Sequence, residues 1–129
     1  MIGTAQSAEV VDGVALLASV DGDAQLLREL IKLFQEECLK GMAEIRAALR
    51  RGDAAALKGA AHRIRGSVGN FGKLGACETA RQLESLASRG DLACAEDVYA
   101  RLEDAVDRLR AALRGVLEES ASTAGQVSN

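Results

Sequence analysis

The sequence predicts an all-α fold: an antiparallel up-and-down bundle of four helices, capped at one end by a short N-terminal helix. Three observations carry that prediction. Among 129 residues there is no Pro and only 2% are aromatic, so the turn formers and large strand residues of a β-domain are missing. Hydrophobic residues make up 48% of the chain, and many of them are Ala, the strongest helix former. The apolar residues also recur at alternating steps of four and three, the period of one helix face. A chain of this size is one domain's worth, and it can bury enough surface to fold without a disulfide or metal staple.

The elements follow in order. Both ends, Gly3 to Ala8 and Ser120 to Asn129, are small, polar and aperiodic. Residues 1–11 and 119–129 are therefore expected to be flexible termini around a bundle over 12–118. Asp12-Gly13 precedes a short apolar stretch, Val14 to Val20, long enough for about two turns. Asp21-Gly22-Asp23 breaks the chain, and Asp23 suits the N-cap of a helix from about Ala24 to Arg50. Its stripe is Leu27, Ile31, Phe34, Cys38, Met42, Ile45 and Leu49, with Arg46, Arg50 and Arg51 in the last turns, where cations suit the helix dipole. Gly52-Asp53 is a stop followed by an N-cap. The next helix carries Leu57, Ala61, Ile64, Val68 and Phe71, and Gly72 fits a left-handed terminator. A fourth helix, from about Lys73 to Ser88, presents Ala76, Ala80, Leu83 and Ala87. After Arg89-Gly90-Asp91, a fifth from Leu92 to about Glu118 carries Val98, Leu102, Ala105, Leu109, Ala112 and Val116. Breaks of a few residues make consecutive long helices antiparallel neighbours. No repeat or second domain is visible.

Charge and cysteine usage exclude several function classes. The net charge is −3, which with few aromatics argues against nucleic-acid binding. No apolar run approaches the roughly 20 residues that span a bilayer, and the N-terminus lacks the basic and apolar regions of a signal peptide. Cys38, Cys77 and Cys94 are an odd, scattered set. Reduced thiols in a cytoplasmic protein are the simplest reading of them, and one His with dispersed cysteines cannot furnish a metal or haem site.

That one His, His62, stands out. On a wheel of about 100° per residue, Leu57, Ala61, Ile64, Val68 and Phe71 cluster within about 40° of a common direction. His62 falls at about 140° from that direction and Gly66 at about 180°. Gly69 falls at about 120°, Lys58 at about 100° and, were the helix to continue, Lys73 at about 160°. The imidazole thus faces away from the core, beside two glycines and flanked by cations. Gly inside a helix costs about 1 kcal/mol relative to Ala, and its missing side chain lets another molecule approach closely. Cations around the ring favour an anionic visitor. Against this stands the plain alternative of a surface His on a helix that happens to carry glycines.

The run Ala61-His62-Arg63-Ile64-Arg65-Gly66-Ser67-Val68-Gly69-Asn70-Phe71-Gly72 resembles the signature of the histidine-containing phosphotransfer family. Asp23, Leu26, Leu27, Leu30 and Phe34 resemble that family's acidic start and Leu/Phe stripe. Gly52-Asp53 resembles its break before the histidine helix, and Leu83-Glu84 the pair on the following helix. The resemblance spans roughly Val14 to Leu113. One departure is Arg65, where the family usually has Lys; a planar fork replaces a point charge.

The resemblance implies a phosphorelay. His62 would accept a phosphoryl group from the phospho-aspartate of a response-regulator receiver domain and pass it to another. Neutral imidazole offers a nucleophilic nitrogen near pH 7, and phosphoryl transfer rests mainly on positioning and electrostatics. Nε2 is the expected attacking atom, with Nδ1–H held by Glu84, since the matching position bonds the histidine in some relatives. Lys58, Arg65 and Lys73 would help neutralise phosphoryl oxygens and meet an acidic receiver, and Gly66 and Gly69 would give clearance. Ser67, at about 280° on the same wheel, points to a neighbouring helix. No bound cofactor is expected, and Mg²⁺ would come with the receiver. A sensor histidine kinase, in cis or in trans, is a further expected partner, and the chain is expected to be monomeric.

Two other readings compete. A complete kinase is excluded: Arg63 follows His62 where kinase dimerisation helices carry an acid and then a Pro, and no Gly-rich nucleotide loop is present. The phosphoacceptor domain of a chemotaxis-type kinase stays open, as does a helical adaptor that binds receivers without being phosphorylated. A free-standing protein and a domain of a larger hybrid kinase are both compatible with the sequence.

Overall fold

A computed structural model describes residues 11–71 and 75–127, the side chains of 120–127 excepted. Every regular element among them is a helix: α1 (Gly13–Ser19), α2 (Ala24–Arg51), α3 (Ala54–Gly69), α4 (Ala76–Ser88) and α5 (Leu92–Val127). The Asp residues at the breaks act as N-caps. Asp12, Asp23 and Asp53 accept hydrogen bonds from the backbone N–H of Ala15, Leu26 and Ala56 at 3.0–3.1 Å, and Asp91 accepts from Cys94 N–H at 3.2 Å. The glycines before three of them, Gly22 (φ 77°), Gly52 (φ 67°) and Gly90 (φ 71°), take the left-handed conformation, and Gly52 and Gly90 stop the preceding helix with it. One Gly-Asp pair thus ends one helix and starts the next.

Successive long helices pack on one another, and α5 returns to α2, so the four form a closed ring of neighbours. The register between them reverses. Phe34 and Phe71 stack with ring centroids 4.9 Å apart, while further along α2 Glu44 meets Arg63 at 3.1 Å. Across the ring's other seam Gln35 accepts from Arg110 at 2.7 Å, and Arg46 pairs with Glu103 at 2.9 Å. Numbering rises on α2 as it falls on both neighbours. The core is aliphatic, built on Ile31, Ile45, Leu57, Ile64, Leu83, Leu102, Leu109 and Leu113, with Ala48, Ala60, Ala61, Ala76, Ala80 and Ala95 letting the backbones approach. Gly41 of α2 packs against Ile64 of α3. A Cβ there would lie 2.6 Å from Ile64 Cδ1 and 2.9 Å from its Cγ1.

Several expectations need correction. Gly41 and Ala48, rather than Met42 and Leu49, complete the buried face of α2, because the four-three alternation continued from Cys38 lands on Gly41, Ile45 and Ala48, small residues beside the larger apolar ones. α3 ends at Gly69 with Asn70 as C-cap, before Phe71, and α4 begins at Ala76; Gly72 and Lys73 lie outside the described residues. α5 does not stop at Glu118 but runs to Val127, since no Pro interrupts this stretch and one Gly is too weak a breaker. Residues 1–10 lie outside the described residues. With 28 and 36 residues, α2 and α5 outlast the 16-residue α3 and 13-residue α4. The short α1 fills the end left over: Leu16, Leu17 and Val20 pack on the core, and Gly13 sits beside Val116.

Candidate functional site

The site forms at the seam between α3 and α4. Ala61 and Ile64 are buried on α3, and this turns His62, between them in sequence, outward with 62% of its side chain exposed. On α4, Leu83 is buried, which brings the adjacent Glu84 to the rim of the seam, only 18% exposed. Glu84 Oε2 lies 3.0 Å from His62 Nδ1. A carboxylate can only accept, so this contact fixes the ring proton on Nδ1. Nε2 has no partner among the described residues and faces outward with its lone pair free.

Arg65, one turn on from His62 and 35% exposed, completes a triangle. Its Nε lies 3.2 Å from Glu84 Oε1 and its Nη2 lies 3.2 Å from His62 Nδ1. The first contact is an ion pair without hydrogen-bond alignment, so Oε1, shielded from solvent, takes no hydrogen bond at all. The second cannot be a hydrogen bond once Nδ1 carries its proton, because guanidinium has donors only. Both Glu84 oxygens are thus held by groups of α3.

The remaining predicted residues separate. Lys58 is exposed one turn before His62. Gly66 is exposed, and a Cβ there would meet nothing within 4 Å, so the space beside the ring is open. Gly69 differs: it is half-buried, and its Cβ would lie 3.8 Å from Cys77 Sγ of α4, so it serves helix packing as well. Ser67 is half-buried and lies toward α2. Lys73 lies outside the described residues. Among the described residues no group of three or more His, Cys, Asp or Glu could hold a metal ion.

Sequence reasoning missed an apolar groove on the other flank of α3. Leu30, Leu33 and Phe34 of α2, Leu16 and Val20 of α1, and Ser67, Asn70 and Phe71 enclose about 430 Å³, and Leu33 is 54% exposed. The signal was present. Leu26, Leu30 and Leu33 form a second four-three stripe beside the core stripe, wider than burial alone needs. A further groove of about 410 Å³ lies between α2 and α5, the seam opposite His62. Cys38 borders it and is itself fully buried. Burial pushes its thiol up to about 11, against the opposing pull of the Arg110 charge.

The Hpt domain family model matches residues 29–112. The chain belongs to the Hpt domain family. The match takes in α3 and α4 whole and most of α2 and α5. The fold agrees with a solved structure, the histidine-containing phosphotransfer protein B (HptB) from Pseudomonas aeruginosa PAO1. The TM-score is 0.77 at 24% identity, over 84% of this chain and 95% of that one. No match emerges among curated protein sequences. As an Hpt domain, the chain has a role in phosphorelay, two-component signal transduction, and no described helix is long and apolar enough to cross a membrane.

Proposed function

We propose that His62 is the phosphoacceptor of this Hpt domain, taking a phosphoryl group from the phospho-aspartate of a response-regulator receiver and passing it to another. The observation that carries this is the Nδ1–Glu84 contact, which leaves Nε2 as an outward lone pair beside the open space at Gly66. In the forward step the Nε2 lone pair forms the N–P bond and the P–O bond to the receiver aspartate breaks, returning its carboxylate. The ring keeps the proton on Nδ1 and becomes cationic, and the Glu84 carboxylate offsets that charge as it develops. The reverse step, on a second receiver, regenerates neutral His62.

The scaffold is proposed to be an antiparallel up-and-down four-helix bundle capped by α1, a reading supported by the reversed register of α2 with both neighbours. Lys58 supplies exposed positive charge near the ring, as Lys73 is proposed to do, and Mg²⁺ is proposed to arrive with the receiver's carboxylates. The apolar groove at Leu30, Leu33 and Phe71 supplies the non-polar part of a docking surface that continues along α3 through Asn70 and Gly66 to His62. The protein is proposed to act in the cytoplasm as a monomer, in a relay with a sensor histidine kinase in cis or in trans.

The test is incubation with phosphorylated receivers. Acid-labile label on the protein, absent from His62→Gln, is the expected result. Binding without label would replace relay by the adaptor reading. Label acquired from a chemotaxis-type kinase core and ATP, but from no receiver, would make this the phosphoacceptor domain of such a kinase.

A further inference from the structure

We infer that Arg65 acts on the reaction through Glu84, as a positioning residue, rather than as a ligand of the phosphoryl group. The inference deepens the assignment of His62 as phosphoacceptor and rests on it. A cation three residues after the histidine invites a simpler role, neutralising the incoming oxygens. The contacts point elsewhere.

Arg65 Nε sits 3.2 Å from Glu84 Oε1 and Nη2 sits 3.2 Å from His62 Nδ1. The guanidinium therefore lies on the Nδ1 edge of the ring, whereas the phosphoryl group would bond to Nε2 on the opposite edge. Oε1 has no hydrogen bond and no solvent, so its negative charge depends on the adjacent guanidinium. An uncompensated carboxylate at that depth would turn toward water. That change withdraws the acceptor that keeps the ring proton on Nδ1. The planar fork suits this task, because one nitrogen faces Oε1 while another reaches the ring.

The role predicts coupling. A phosphoryl ligand and an orienting carboxylate act independently, so losing both multiplies the losses. If Arg65 works only by holding Glu84, removing it from a protein that lacks Glu84 costs nothing more. Because His62 is the sole histidine in the chain, its two ring nitrogens give an unambiguous ¹⁵N signature of the tautomer.

The experiment compares wild type, Arg65→Met, Glu84→Ala and the double variant, each checked for folding by circular dichroism. Ring ¹⁵N shifts are recorded at about pH 8, where imidazole is neutral, and transfer from a phosphorylated receiver is timed. Arg65→Met is expected to move both nitrogen shifts toward those of free histidine and to slow transfer about ten-fold, the scale of one charge-assisted hydrogen bond. The double variant is expected to be no slower than Glu84→Ala alone. Unmoved shifts in Arg65→Met, or losses that multiply in the double variant, would overturn the inference. Should no label reach wild-type His62, the phosphoacceptor assignment fails, and the nitrogen shifts still decide what Arg65 does to the ring.

Discussion

The ring of His62 is exposed over most of its surface, yet one edge is committed to Glu84 and only the other is open to a partner. Gly66 keeps that open side clear, and the fold does not otherwise need it to be Gly. Gly66→Ala should therefore raise stability by up to about 1 kcal/mol through helix propensity alone. Gly66→Gln should leave the urea midpoint undiminished but slow receiver transfer by about ten-fold or more, because its side chain occupies the approach to Nε2. Normal transfer by Gly66→Gln would remove the clearance role. A second residue-scale expectation concerns Cys38, whose buried thiol is raised from 9.0 to about 11. The native state favours the neutral thiol, so this contribution is complete below the unfolded value and is lost as pH rises through the folded one. Urea midpoints should fall between about pH 9 and about pH 11, and less steeply in Cys38→Ala. Equal slopes would assign the alkaline loss to other groups. At this scale the outward placement of His62 and Gly66 was legible because sequence spacing fixes which way a helical residue points, and Glu84 beside the ring was implied by the family resemblance. The ion pair between Arg65 and Glu84 was not legible, since it depends on how far apart α3 and α4 settle.

α2 packs on α3 where Gly41 faces Ile64, the residue after the ring-bearing turn's Arg63. Gly41→Ala gains about 1 kcal/mol of helix propensity but forces Ile64, which is fully buried, to move, at a cost of about 1–3 kcal/mol. The net expectation is a loss of up to about 2 kcal/mol in urea unfolding. A gain in stability would show that Ile64 repacks freely. The starts of α2 and α3 were readable from Asp23 and Asp53 because N-capping is a local interaction with a short polar side chain. The helix ends were read less well. α3 stops before Phe71 and α5 passes Glu118, and a helix's last turn answers to packing as much as to its own residues. The shift from Met42 to Gly41 on the buried face has another origin: the buried positions keep the four-three alternation, and the expected stripe left it after Cys38 by a second step of four to reach a larger apolar side chain.

Across the whole molecule, the proposed docking face runs from His62 over α3 to the groove that Leu30 and Leu33 line with Asn70 and Phe71. Leu30→Ser with Leu33→Ser should weaken receiver binding about ten-fold or more, measured by titration calorimetry, with little loss of folding stability because both side chains are already exposed. Unchanged affinity would place docking elsewhere. The all-helical fold was legible as a whole because the apolar residues keep a helical period from one break to the next. The groove was not, because an exposed Leu becomes a surface feature only when a neighbouring helix supplies the opposite wall. The ring of helices has one more consequence. Three of its four seams join helices consecutive in the chain, and only α5 against α2 closes over a long separation. His62 and Glu84 are 22 residues apart, inside the α3–α4 hairpin. Opening the α2–α5 seam would therefore leave the reacting pair assembled, and such partial openings are a normal part of the native ensemble. In hydrogen exchange, amides of α5 should become labelled under conditions where those of α3 stay protected. The chemistry would then belong to a locally connected unit that outlives the closure of the bundle around it.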